Sequence, residues 1–245
     1  MARRPLPEFL QVPWGIKDVV VLVVAWFGLQ IVLVAVLVKL IAPYVPAVSS
    51  FVQAANNGAV GPNFALYLIV AALGLGLVAM YLRKYGVGWE AAGWRRVSVR
   101  RAVTYLVGIL LVFMLSIGVI LTLVSVLVPG FNASQAQTND FTATTHGSGH
   151  SLSLIALVLL PPVLEETIFR GFIFPAIAKR AGMVWGAILS SVLFGIAHLQ
   201  ANVSVYTFVL ALLLCFMYVR LKSIVPGIFV HMLNNYLAFI ALSSK

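Results

Sequence analysis

Long apolar runs, separated by short polar and basic stretches, set the pattern of this 245-residue chain. A helix needs about 20 apolar residues to cross the roughly 30 Å hydrocarbon core of a bilayer. Seven segments meet or approach that length: 19–42, 63–82, 102–128, 152–178, 184–199, 203–219 and 225–242. The first is longer than a signal-peptide core and has no evident small-residue cleavage site, so it reads as a retained span. The fourth is long and contains Pro161, Pro162 and Pro175, so it either kinks or ends early with residues 171–182 along the interface. The fifth is short for a crossing. Residues 5–17 have an amphipathic pattern interrupted by prolines, and an eighth helix there is an alternative. The expected fold is an all-α, polytopic transmembrane helix bundle of about seven spans, eight with that segment, enclosing a buried polar cavity. Its parts are an N-terminal segment (1–18), N-terminal transmembrane helices (19–128), an external loop rich in Gly, Ser, Thr and Asn (129–150) and a helical core (151–245).

Composition sharpens this picture. Hydrophobic residues make up 62% of the chain and charged residues 9%, with a mean hydropathy of +1.07. Soluble domains carry about 25% charged residues, so a soluble enzyme, a disordered tail and a fibrous protein are excluded. Sixteen Lys and Arg against six Asp and Glu give a net charge of +10. Such a balance suggests nucleic acid or a membrane, and placement decides between them. If seven spans alternate, Arg3, Arg4, Lys17, Arg83, Lys84, Arg95, Arg96, Arg100, Arg101, Lys179, Arg180, Arg220 and Lys222 all fall on one side. Only Lys39 and Lys245 lie near the other face, and Arg170 lies within a span. This positive-inside pattern gives a cytoplasmic N-terminus and explains the charge without nucleic acid. The protein is expected to be a multi-pass integral protein of a plasma, inner or endoplasmic-reticulum membrane. The basic loop 83–101, with Trp89 and Trp94, reads as an interfacial topology anchor. Cys215 is the single cysteine, so no internal disulfide forms. No long internal repeat supports an inverted-repeat transporter.

Charged residues inside a span cost at least ~2.5–3.5 kcal/mol each on insertion scales and persist when paired or functional. Glu165, Glu166 and Arg170 occur together in the fourth span. On a helix Glu166 and Arg170 are four apart and share a face, whereas Glu165 is rotated by about 100°. The simplest division makes Glu166 the partner of Arg170 and turns Glu165 elsewhere. Phe194 and His198 are four apart in the fifth span, and His231 and Asn235 are four apart in the seventh. These groups lie about 12–22 Å into their segments at ~1.5 Å per residue, depths that let one cavity collect them. A carboxylate held away from water is suited to general-base work. Histidines orient water or move protons, and a side-chain amide donates to a developing oxyanion. The same residues also suit a purely structural polar network that holds helices together.

The residues carry a recognisable pattern. Glu165-Glu166-Thr167-Ile168-Phe169-Arg170 matches an EExxxR motif, Phe194 to His198 an FxxxH motif and His231 to Asn235 an HxxxN motif, in that order. The trio resembles the CAAX protease and bacteriocin-processing family of intramembrane proteases. The resemblance covers residues 165–235, and the first 150 residues add compatible spans without a comparably specific motif. It implies a membrane endopeptidase like the enzyme that trims prenylated CAAX proteins. Carried over, Glu165 activates water, His198 and His231 position it or transfer protons, and Asn235 stabilises the oxyanion. Glu166 and Arg170 support the site, and Phe194 packs beside His198. A membrane peptide or lipidated protein is the implied substrate.

Two His and one Glu also suit zinc with an open position, but HExxH is absent and Asn is a poor zinc ligand. A metal-free, cofactor-free site is expected, with a zinc-dependent version as the alternative. From other functional classes, the alternatives are a non-enzymatic scaffold or immunity protein retaining the fold, and a proton-coupled transporter. Substrate identity and oligomeric state are not legible. His146 and His150 read as a loop pair, because Gly147 and Gly149 disfavour a helix. Asn132 and Asn202 begin N-x-S sequons, and Gly182 with Gly186, like Gly74 and Gly76, suggests close helix packing.

Overall fold

Helix α1 (Ile16–Ala35) continues through a π-helical turn, Val36–Ile41, and realises the first apolar run. The computed structural model describes residues 5–133, 135 and 147–243; Arg3, Arg4, His146, Lys245 and residues 136–146 of the expected external loop lie outside the described residues. After α1 come α2 (Pro46–Asn56), α3 (Val60–Lys84) and α4 (Val99–Leu127). Next is a long composite helix: α5 (Gly147–Leu154), a π segment (Ile155–Leu159), α6 (Leu160–Glu166), a second π segment (Thr167–Ile173) and α7 (Phe174–Ala181). Helices α8 (Met183–Ile196), α9 (Ala201–Leu221) and α10 (Val225–Ser243) follow.

Among the described residues, five helices are long and apolar enough to cross a membrane: Ile16–Ile41, Val60–Lys84, Val99–Leu127, Gly149–Ala181 and Ala201–Leu221. The protein is all-α, polytopic and integral to the membrane. Helix α8, with 14 residues, reaches about 21 Å at 1.5 Å per residue, short of the hydrocarbon thickness.

Three local expectations are corrected. Residues 5–17 form no α-helix beyond the start of α1; they hold a single 3₁₀ turn, Glu8–Leu10. Pro5, Pro7 and Pro13 remove amide donors and restrict their neighbours, which stops a helix from propagating. The fourth apolar run does not end early, because its helical path persists to Ala181, with a π segment just ahead of Pro161 and Pro162 and another just ahead of Pro175. His150 lies on α5, not in a loop. The helix penalty of glycine is about 1 kcal/mol, and packing of the His150 ring on Phe239, centroids 5.4 Å apart, opposes it.

Contacts divide the chain into two units. The first contains residues 1–19, 82–137 and 165–230. Its apolar centre joins Ile109, Phe113 and Ile117 of α4 to Leu210, Leu214 and Met217 of α9. Helices α7 and α8 form a tight hairpin around Gly182, whose φ of 90° suits glycine. A Cβ at Gly186 would lie 2.8 Å from Ala178 Cα, so the glycine is what lets the two backbones approach. The N-terminal strap is fixed to the composite helix: the Trp14 indole stacks on Phe172 at 4.7 Å and donates to the Phe172 carbonyl at 2.9 Å. Lys179 Nζ donates to the Val12 carbonyl at 3.0 Å. At the start of α1, Asp18 accepts from Lys84 at 3.0 Å and from the Tyr85 hydroxyl at 2.8 Å, a bond that raises the phenol above its ordinary pKa.

The second unit contains residues 20–81, 138–164 and 231–245. Here Trp26 donates to the Val70 carbonyl at 3.3 Å, and a Cβ at Gly74 would collide with Leu164 of α6. The absence of a side chain at Gly74 thus lets α3 approach both α1 and α6.

Candidate active site

The EExxxR residues straddle the junction of α6 with its π segment. A π turn widens the helix locally and is frequent at functional sites. Glu166 and Arg170 form the expected ion pair, Oε1 to Nη1 at 3.0 Å, with both side chains about 1% exposed. A Cβ at Gly227, on the first turn of α10, would sit 3.7 Å from Glu166 Oε2. The pair is therefore buried in protein, not presented to lipid. Glu165 is half-buried on the adjoining position.

Arg170 also lies over the Phe194 ring, its guanidinium carbon 4.4 Å from the centroid. Phe169 meets the same ring edge-on at 4.9 Å, and the His198 imidazole lies 5.0 Å from it. Phe194 thus joins the ion pair to the histidine, consistent with a packing role beside His198.

Helix α8 ends at Ile196, so His198 occupies the turn beyond it, and this decides its hydrogen bonding. The last carbonyls of a helix lack intrahelical donors. The His198 amide has turned to the Gly195 carbonyl at 3.1 Å, and the Phe194 carbonyl is met by His198 Nδ1 at 2.8 Å. A carbonyl only accepts, so Nδ1 carries the proton in this arrangement. In the neutral ring, the lone pair is then on Nε2, the nitrogen available for proton transfer.

Asn235 makes a bond that its motif does not announce: its amide donates to the Leu157 carbonyl at 3.1 Å. The cause is in the sequence. The donors four and five residues beyond Leu157 would be Pro161 and Pro162, and neither has an N–H. An unmet carbonyl in a membrane costs several kcal/mol, and Asn235 supplies the missing donor. We expect Asn235→Ala to destabilise the protein by about 1–3 kcal/mol. A Pro161→Ala background should reduce that loss, because alanine brings back the backbone donor that proline lacks. A double-mutant cycle on chemical denaturation in detergent checks this, and additive effects would refute the capping role.

His231, four residues before Asn235 on α10, is buried. Glu165, Glu166, Arg170, Phe194 and His198 belong to the first unit, while His231 and Asn235 belong to the second. Among the described residues, no group of three or more His, Cys, Asp or Glu side chains is arranged to hold a metal ion.

The supporting shell includes residues that motif reading missed. Trp94 donates to Thr167 Oγ1 at 3.2 Å, and a Cβ at Gly171 would run into the Ala92 carbonyl. Ser223 Oγ donates to the Arg95 carbonyl at 2.6 Å, and the Ile224 amide to the Gly93 carbonyl at 2.9 Å. Residues 92–95 thus brace the π segment and the α9–α10 turn, a role beyond the topology anchor expected of loop 83–101. Gly171→Ala should cost about 1–3 kcal/mol by overpacking, read as a lower thermal midpoint in detergent; an unchanged midpoint would refute the close contact. Asn202 donates to the Gln135 carbonyl at 2.8 Å and is 9% exposed, which makes it a poor glycan acceptor.

Comparison with known proteins bears on residues 148–237, which match the family model described as Type II CAAX prenyl endopeptidase Rce1-like. The protein named "Putative membrane peptidase YdiL" of Bacillus subtilis (strain 168) is 33% identical over 84 residues, which are 34% of this chain and 34% of that protein. The chain therefore spans about a third of the length of this curated relative. No solved structure matches the chain. The matched segment contains all three motifs, so it is over residues 148–237 that the chain is similar to the Rce1-like type II CAAX prenyl endopeptidases.

Proposed function

We propose that this protein is an intramembrane endopeptidase that hydrolyses a peptide bond of a membrane-associated substrate, of which a prenylated CAAX-type C-terminus is the family's precedent. The carrying observation is the ordered motif trio within the matched segment, together with the contact chain from Glu166 through Arg170 and Phe194 to His198.

In this reading residues 151–245 are the catalytic core and Glu165, His198, His231 and Asn235 are its reacting groups. Glu165 takes a proton from water, and the resulting hydroxide adds to the substrate carbonyl carbon. The oxyanion that forms accepts from the second N–H of the Asn235 amide, the first being committed to Leu157. The C–N bond then breaks, and the departing amine receives a proton through His198 or His231. Glu166 and Arg170 carry no proton in this scheme; they hold Phe194 and, through it, the His198 ring. Helices α8 and α10 complete a seven-span topology with a cytoplasmic N-terminus, which the basic residues favour. The site operates without metal.

The test is reconstitution of the full chain in proteoliposomes with a farnesylated CAAX peptide and its unprenylated counterpart. Mass spectrometry should detect a released C-terminal fragment from the farnesylated peptide. No cleavage of either peptide under any lipid composition would reject the reading. Stoichiometric zinc in active protein, by elemental analysis, would reject its metal-free part.

A further inference from the structure

Helices α4 and α9 run antiparallel. Tyr105, near the start of α4, meets Arg220, near the end of α9, while further along Phe113 packs edge-on against Tyr206 with centroids 4.8 Å apart. Between them opens a groove of about 470 Å³, within the range of about 300–1,000 Å³ typical of small-molecule sites. Its walls include Gly108, Ile109 and Val112 of α4 and Leu213 and Phe216 of α9. Gly108 borders open space, since a Cβ there would meet no atom within 4 Å.

The groove changes character at one end. Tyr105 and Phe216 face each other across its mouth with ring centroids 6.4 Å apart. Arg220 Nε donates to the Tyr105 hydroxyl at 3.1 Å, and its guanidinium carbon lies 5.8 Å from the Phe216 ring. This fixes a charged head at the mouth with its two terminal nitrogens uncommitted by that bond. Arg101 is one turn before Tyr105 on the same face of α4, and both arginines are exposed. The chain's six acids are Glu8, Asp18, Glu90, Asp140, Glu165 and Glu166, so neither α4 nor α9 contributes one to neutralise this end.

We propose that this groove is a binding site for an anionic phospholipid, with one acyl chain along Gly108, Ile109 and Leu213 and the phosphate held by Arg220 and Arg101. The aliphatic walls match the chain, the aromatic pair marks the level where chain gives way to headgroup, and the basic rim matches the charge. Annular lipid filling a lipid-facing crevice would be indifferent to headgroup; this rim is not. The proposal goes beyond the proteolytic reading and does not depend on Glu165 chemistry.

Native mass spectrometry of the purified full-length protein, titrated with phosphatidylglycerol and with phosphatidylcholine of the same chains, tests it. Phosphatidylglycerol should be retained in preference, and Arg220→Gln and Arg101→Gln should each weaken its binding about fivefold without affecting phosphatidylcholine. Gly108→Phe should exclude the chain and reduce phosphatidylglycerol retention further. If that variant does not fold, the arginine variants carry the test alone. Equal retention of both lipids, unchanged phosphatidylglycerol binding in Arg220→Gln, or equal binding of chain-free glycerol phosphate would overturn the proposal.

Discussion

Replacing Glu165 with Gln is expected to lower kcat for peptide cleavage by about 10²–10⁴-fold, the usual contribution of a positioned general base. Glutamine keeps the shape and hydrogen-bonding reach of glutamate but cannot accept a proton from water. Substrate binding should change little, so the loss should fall on kcat and leave KM nearly intact. The Glu166–Arg170 pair, one residue on, is untouched, so the thermal midpoint should stay close to that of the parent. Fragment release from the farnesylated peptide in proteoliposomes measures both constants. Activity equal to the parent's would remove Glu165 from the role of base, whatever the remaining motif residues do.

The second large effect concerns Arg170. Arg170→Ala removes a buried cation and takes from the buried Glu166 its ion-pair partner, a change that typically costs about 3–5 kcal/mol. It also takes the guanidinium from the Phe194 ring, which lies 5.0 Å from the His198 imidazole. Combining Arg170→Met with Glu166→Gln removes both charges together and should recover most of the stability, since apolar replacements of buried pairs are often neutral. Cleavage should not recover with it if the pair positions His198. Chemical denaturation in detergent gives the stability, and kcat at several pH values gives the positioning effect. A loss below about 1 kcal/mol in Arg170→Ala would match a solvated pair and contradict the burial seen here.

The parts of this architecture that depend on local pattern were legible in the chain. Apolar length placed the five long helices, because a membrane demands continuous apolar surface and internal backbone pairing. The i, i+4 spacing of Glu166 and Arg170 led directly to the observed ion pair. What escaped depends on tertiary partners. Nothing periodic in residues 83–101 says that Trp94 and Ala92 will lie against the π segment. The π turns themselves leave no signature in hydrophobic spacing. Pro161 and Pro162 do announce orphaned carbonyls, but not that Asn235, far along the chain, meets one of them. Gly147 and Gly149 speak against a helix by propensity alone, and there propensity yields to packing. Phe194 and His198 share a face by their spacing, yet the helix stops between them, and that stop commits Nδ1 to the Phe194 carbonyl.

The bond between Asn235 and Leu157 also orders the substitutions this chain can tolerate over time. While both prolines stand, the amide at 235 cannot be exchanged in a single step without stranding a carbonyl in a membrane span. A lineage that abandoned hydrolysis would therefore still be held to asparagine there, unless Pro161 or Pro162 was lost first. In descendants that kept the shape and gave up the reaction, the asparagine of HxxxN would persist as a fossil of helix repair. Glu165, rather than Asn235, would then be the position whose replacement marks the loss of chemistry.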